Sequence, residues 1–157
     1  MNERLNRGER KYGALRIMNE ITNVYEIEIR STPERIWQAL TDGSVMEKFF
    51  MGLHIESDWK PGSDYGFRMP DGSLMVQGKV VEFDPPRKLV DTFKPHSPTG
   101  ELIDIAESRL TWEIVQSGAT CKLTLTHDKL DGDNPASKGF GDGWNYFMAE
   151  IKKYLEA

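Results

Sequence analysis

One cysteine, Cys121, is all the sulfhydryl chemistry that the 157-residue sequence offers. No intramolecular disulfide is available, which suits a reducing compartment and leads us to expect a cytoplasmic protein. Cys121 opens a strand-like run, where a buried, inert thiol is expected rather than a nucleophile. Long apolar runs are missing as well. None approaches the roughly 20 residues that a membrane-crossing helix requires, and no signal-type apolar core follows the N-terminal charges. A surplus of basic charge is also lacking: 20 Lys and Arg against 25 Asp and Glu leave a net charge of −5, which argues against a nucleic-acid partner. Arg4, Arg7, Arg10, Lys11 and Arg16 make the start locally basic, and we read that segment as a solvated arm. The three histidines, His54, His96 and His127, are too scattered to suggest a metal site. With no His-Glu-x-x-His or paired-cysteine pattern, no metal or cofactor is expected.

What the sequence does have is a strongly patterned C-terminus. Phe140, Trp144, Phe147, Met148, Ile151, Tyr154 and Leu155 recur at helical spacing behind the glycine-rich run Lys138-Gly139-Phe140-Gly141-Asp142-Gly143. Upstream, most segments read as strands, so the apolar face of this helix must pack on a sheet. Three glycines beside a helix start invite comparison with a phosphate loop. The Lys-Ser/Thr that would complete such a pattern is absent, and we expect instead a flexible gate over a cavity mouth or a close approach of helix to sheet.

Residues 1–21 lack a clean period and are expected to form an N-terminal extension, leaving 22–157 as a single domain. Val24 to Arg30 alternates as a half-buried strand. Thr32 can cap a helix that Pro33 opens, with Ile36, Trp37 and Leu40 as its apolar stripe, and Asp42-Gly43 ends it. Val45, Met46, Phe49 and Phe50 suggest a second short helix. Six further strands follow, over His54–Trp59, Tyr65–Met69, Leu74–Phe83, Lys88–Phe93, Ile105–Val115 and Ala119–His127, punctuated by Pro, Gly and Asp turns. The order is strand, two helices, six strands, long helix.

Alternation along these strands nominates an inner wall facing the long helix. Tyr25 and Ile27, Phe67, Val76, Leu110 and Trp112, and Leu123 and Leu125 share that face, opposite Trp144, Phe147, Met148 and Ile151 on the helix. These residues either surround a cavity or interdigitate into a solid core. Catalytic signals are thin. His127, at a strand end beside Asp128, is the one candidate general base, although a histidine bonded to backbone or solvent is the plainer reading. Arg68, Gln77 and Arg109 face water by the same alternation.

Several motifs taken together resemble a known family. Ser31-Thr32-Pro33-Glu34-Arg35-Ile36-Trp37-Gln38-Ala39-Leu40-Thr41-Asp42, Trp59-Lys60-Pro61-Gly62-Ser63, the stretch from Gly78 to Leu89, and Gly143-Trp144 are similar to segments of the START-like (SRPBCC) helix-grip superfamily. The nearest branch is the one homologous to the C-terminal domain of the activator of the heat shock protein 90 ATPase. The resemblance covers roughly residues 22 to 156. It implies an α+β helix-grip (START-like, Bet v 1-like) fold: a curved antiparallel sheet of about seven strands wrapped around a long C-terminal helix, with two short helices after strand 1. In many relatives the space between helix and sheet takes an apolar or amphipathic molecule.

Because this fold hosts many activities, the function has to be argued from the site. The expectation we carry forward is a non-catalytic domain that binds a small hydrophobic molecule, such as a lipid, between helix and sheet. One alternative is a regulator of a chaperone or other protein partner, and another is a cyclase or hydrolase that uses the cavity as a dry vessel. A homodimer is one assembly the sequence leaves open.

Overall fold

The computed structural model describes residues 17–97 and 99–157. The basic cluster and most of the expected extension over 1–21 lie outside the described residues. The first strand, β1, spans Glu20–Ile29, so regular structure begins two residues before the boundary expected at 22. Two short helices follow, α1 (Pro33–Thr41) and α2 (Gly43–Phe49), then β2 (His54–Ser57), β3 (Asp64–Arg68), β4 (Leu74–Asp84), β5 (Lys88–Pro95), β6 (Ser108–Ser117) and β7 (Thr120–Asp131). The long helix α3 spans Ala136–Glu156 and completes the chain's regular structure.

Local chemistry explains the helical corner. Thr32 Oγ1 accepts the Arg35 N–H at 3.2 Å, and Pro33 stands at the first helical position, where its missing N–H costs nothing. Asp42 serves both helices: its N–H donates to the Gln38 carbonyl at 2.8 Å, closing α1, and its carboxylate accepts the Ser44 N–H at 2.9 Å, opening α2. Ile36, Trp37, Ala39 and Leu40 of α1 and Met46 and Phe49 of α2 are buried, so both helices close one end of the core.

All seven strands form one antiparallel sheet in the order β1-β7-β6-β5-β4-β3-β2. Because β1 pairs with β7 while the meander runs outward to β2, the chain must cross the end of the sheet, and the two short helices make that crossing. Bulges between Ile21 and Asn23, between Phe67 and Arg68, and between Val80 and Glu82 bend the strands around α3. At Gly78 a Cβ would stand 2.2 Å from the Thr92 carbonyl oxygen and 2.7 Å from the Tyr65 ring, so only glycine admits the close approach there. The Tyr65 hydroxyl donates to that same carbonyl at 2.6 Å, fastening β3 across β4 to β5.

The structure departs from the sequence reading at the edges of elements. β7 continues four residues past His127, because its end pairs with Glu20 and Ile21 of an equally extended β1. β6 starts at Ser108 rather than Ile105. The largest difference is at the glycine-rich run, which is no flexible loop ahead of the helix: Lys138 to Gly143 lies inside α3. Glycine costs a helix about 1 kcal/mol against alanine, so pattern alone places the start too late. Asn134 Oδ1 accepting the Ala136 N–H at 3.0 Å and Ser137 Oγ donating to the Asp131 carbonyl tie down the true start.

Candidate functional site

Along its C-terminal half, α3 meets a filled interior. Phe147, Ile151 and Leu155 are buried in one cluster with Ile29, Leu123, Leu125 and Ile114. Phe147 packs edge-on against Phe50 at 4.8 Å between ring centroids and against Phe49 at 5.7 Å. Trp112 fills the middle of the sheet, 5.6 Å from Trp144 and 5.3 Å from Phe147. Here the expected wall is a solid core: Leu110, Trp112, Leu123 and Leu125 from the sheet and Phe147, Met148 and Ile151 from the helix are all buried. Tyr25 and Ile27 pack half-buried at its edge.

Toward its N-terminal end the same helix leaves space. An apolar cavity of about 170 Å³ opens between the first turns of α3, strands β3 to β5 and the end of α2. Phe67, Met75, Val76 and Phe93 supply the sheet side, and Gly139, Phe140, Gly143, Trp144 and Tyr146 the helix side. Phe50 and Met51 form the lip. Gly139 and Gly143 are one helical turn apart, and a Cβ added at either would meet no atom within 4 Å, so their bare backbone is part of the space. Met51 adopts φ 51°, the left-handed region that costs an L-residue with a Cβ roughly 1–2 kcal/mol, and remains 52% exposed at the rim.

Of the residues expected to line a cavity, Phe67, Val76 and Trp144 border this one. Alternation missed Met75 because the bulge in the β3–β4 pairing, where Phe67 faces Val76 but Arg68 faces Leu74, leaves Met75 without a partner and out of phase. Phe93 was within reach of the reading, since it shares the inner face of β5 with Leu89. Phe50 continues the apolar spacing of α2 and caps its end, while Met51 sits in the left-handed turn beyond it, which carries no periodicity.

Behind the cavity wall lies a buried polar chain. The Trp144 indole N–H donates to His127 Nδ1 at 3.2 Å, and His127 Nε2 lies 2.7 Å from Ser108 Oγ. An indole nitrogen only donates, so Nδ1 accepts, the proton sits on Nε2, and Nε2–H donates to Ser108. Burial holds this imidazole neutral by pushing its pKa down from 6.5 to about 4. Asp128 gives it no dyad partner, because the adjacent residue points to the opposite face and pairs with Arg109, Nε to Oδ1 at 2.9 Å. That guanidinium holds the Asp128 carboxyl below its ordinary range. His127 is thus fully buried behind the cavity wall, does not border the space, and has both ring nitrogens engaged.

The other polar candidates are engaged elsewhere. Arg68 Nε donates to Glu56 Oε1 at 2.6 Å, and Gln77 Oε1 lies 2.9 Å from His96 Nε2. His54 pairs with Glu47 at 2.6 Å. A wider concavity, about 1120 Å³, opens on the opposite side of β2 to β5, but it is largely polar and its Lys79–Asp64 and Arg68–Glu56 charges are already paired. Asp91 is 2% exposed on the inner face between Val80 and Leu110, its Oδ1 lacks a hydrogen-bond partner among the described residues, and burial raises its carboxyl well above the usual range. The Cys121 thiol is buried, donates to the Ser31 carbonyl at 3.3 Å and is pushed up by that burial, in keeping with an inert thiol. Among the described residues no three metal-ligating side chains gather, and no helix is long and apolar enough to cross a membrane.

Solved structures repeat this architecture. A protein from Mesorhizobium loti is 21% identical and superimposes with a TM-score of 0.69 over 86% of this chain and 96% of its own. An Hsp90 activator from Plasmodium falciparum is 22% identical, with a TM-score of 0.69 and the same coverage of both chains. The Aha1 dimer from Colwellia psychrerythraea gives 20% identity and a TM-score of 0.69 over 87% of this chain and 96% of that one. At these identities the likeness establishes the fold. No curated protein matches the chain. Residues 30–156 match the family described as Activator of Hsp90 ATPase homolog 1-like protein, and with most of its length accounted for in this way the chain belongs to that family.

Proposed function

We infer that this chain binds a small apolar molecule in the cavity between the first turns of α3 and strands β3 to β5, and that it binds rather than transforms it. The observation that supports this is the contrast between an apolar cavity and the filled core beside it. A cavity of about 150 Å³ lined by aliphatic and aromatic groups is enough for a benzene-sized molecule, so 170 Å³ suits one ring or a short alkyl end. Burying one ring, roughly 150–250 Å² of surface, yields about 4–6 kcal/mol before association costs, which limits a bare ring to weak binding. A tighter ligand continues over the lip, where Met51 and Tyr146, 52% and 46% exposed, offer further apolar contact. The expected absence of chemistry rests on His127, which lies behind the wall with both ring nitrogens engaged.

The test is fluorescence titration with 2-naphthol, alongside native mass spectrometry of the freshly purified protein. Saturable binding is expected, and Gly143→Leu, which fills open space on a helix that tolerates leucine well, abolishes it without loss of fold. Equal binding by a folded Gly143→Leu variant would place the ligand elsewhere.

Family membership supports a second reading, regulation of the Hsp90 ATPase. Its test is chaperone ATPase activity with and without this protein; no stimulation and no complex would dispose of it. The same native mass spectrum reads out self-association, the state named for the Colwellia relative.

A further inference from the structure

Strand β7 carries its inner face as Leu123, Leu125 and then His127, so a polar ring occupies a position where the pattern calls for another leucine. A buried polar group is costly unless its partners are in place, and here both are: Trp144 on one nitrogen and Ser108, itself 2% exposed, on the other. The imidazole also packs against more of the side chains that wall the cavity than its hydrogen bonds require. Phe93 meets it edge-on with centroids 5.0 Å apart, Phe140 stacks on it at 5.9 Å and 27°, and the Trp144 ring lies at 6.3 Å. Those three side chains are cavity walls, whereas His127 does not border the space.

We propose that His127 is a positioning residue for the ligand cavity: by accepting the Trp144 indole N–H while packing against Phe93 and Phe140, it holds three walls in the one arrangement that leaves the cavity open. The proposal rests on reading the cavity as a ligand site. The direction of each hydrogen bond matters. Trp144 has only one polar atom, so the Nδ1 acceptor fixes both its rotamer and the tilt of its ring, and Ser108 fixes the tautomer that keeps Nδ1 unprotonated. An apolar side chain at 127 would fill similar volume but leave the indole N–H and the Ser108 hydroxyl without partners, and the indole would then turn into the cavity to find one.

The experiment compares His127→Leu with His127→Asn in the full chain, since the asparagine amide oxygen can stand close to where Nδ1 accepts. Three quantities are read: 2-naphthol affinity, the Trp144 indole N–H resonance and its exchange with solvent, and the melting temperature. His127→Leu is expected to weaken the probe about tenfold or more in the folded protein and to shift the indole resonance, while His127→Asn stays within about threefold and keeps it. Ser108→Ala should fall between them. The proposal is overturned if folded His127→Leu binds 2-naphthol as the wild-type chain does, or if the two His127 variants lose affinity equally. Failure of the wild-type chain to bind 2-naphthol would overturn the ligand reading as well, whereas binding that is indifferent to residue 127 overturns this inference alone.

Discussion

The two halves of α3 face the same sheet and end differently. Toward the C-terminus, Phe147, Ile151 and Leu155 are buried in one cluster with Leu123, Leu125 and Ile114. Toward the N-terminus, Gly139 and Gly143 withdraw their side chains, Phe93, Phe140 and Trp144 stand on a histidine rather than on one another alone, and a cavity remains. A helix of strong amphipathic pattern can therefore anchor a fold with one half and frame a site with the other. The division is made by residues that cost stability: helical glycines, a buried imidazole and a left-handed methionine.

If that division is correct, damage to the two halves has opposite signatures. Phe147→Ala in the closed half should cost about 3–5 kcal/mol, a fall of roughly 10 °C in Tm for a chain of this size, because the vacated volume is walled by rigid neighbours. Calorimetry or denaturant titration checks it, and a fall of only a degree or two would mean the closed half is not well packed.

Next in size is the response to acid. His127 is neutral when folded, with its pKa lowered from 6.5 to about 4, so the unfolded chain takes up the proton first. The associated stability is fully present above pH 6.5 and is lost as pH falls from 6.5 through about 4, a total of about 3 kcal/mol. Asp91, whose buried carboxyl is held well above its usual range, acts with the opposite sign, so urea unfolding is read as a difference: between pH 6.5 and about 4 the wild-type chain should lose more stability than His127→Asn. Parallel profiles would show that another group carries the acid sensitivity.

The smallest effect has the reverse sign. Gly143→Ala should stabilise the helix by about 1 kcal/mol, raising Tm by about 2–4 °C, because the new methyl group meets open space. The same methyl group narrows the cavity, so 2-naphthol should bind several-fold more weakly. A variant that gains stability while losing ligand sharpens the contrast between the halves; one that loses stability shows that the helix packs tightly there.

Much of the fold was legible in the sequence because its signals are local and redundant. The alternation of β1, the Thr32-Pro33 cap, the Asp42 junction and the spacing from Trp144 to Leu155 each announce an element, and it is the resemblance of several motifs to the START-like superfamily that implies the helix-grip arrangement. The site was less legible because it is built where regularity fails. Met75 borders the cavity through a bulge that breaks period two, and Phe50 and Met51 through a helix end and a left-handed turn. The glycines read as a loop because their low helix propensity is local information, whereas the contacts that hold α3 together at its start, Asn134 to Ala136 and Ser137 to Asp131, depend on where β7 stops. His127 drew attention as a base for its residue type. Its partners, Ser108 and Trp144, are 19 and 17 residues away, and only the folded sheet brings them to its two nitrogens.

The central claim is that the N-terminal half of α3 frames a ligand cavity, and methyl-labelled methionine NMR during titration with 2-naphthol tests it most directly. Met51 and Met75 border the cavity, whereas Met46, 1% exposed, lies in the packed helical corner. Saturable shifts at Met51 and Met75 with Met46 unmoved are the predicted result. Shifts at Met46 with the other two silent, or no shifts at saturating probe, would contradict the claim.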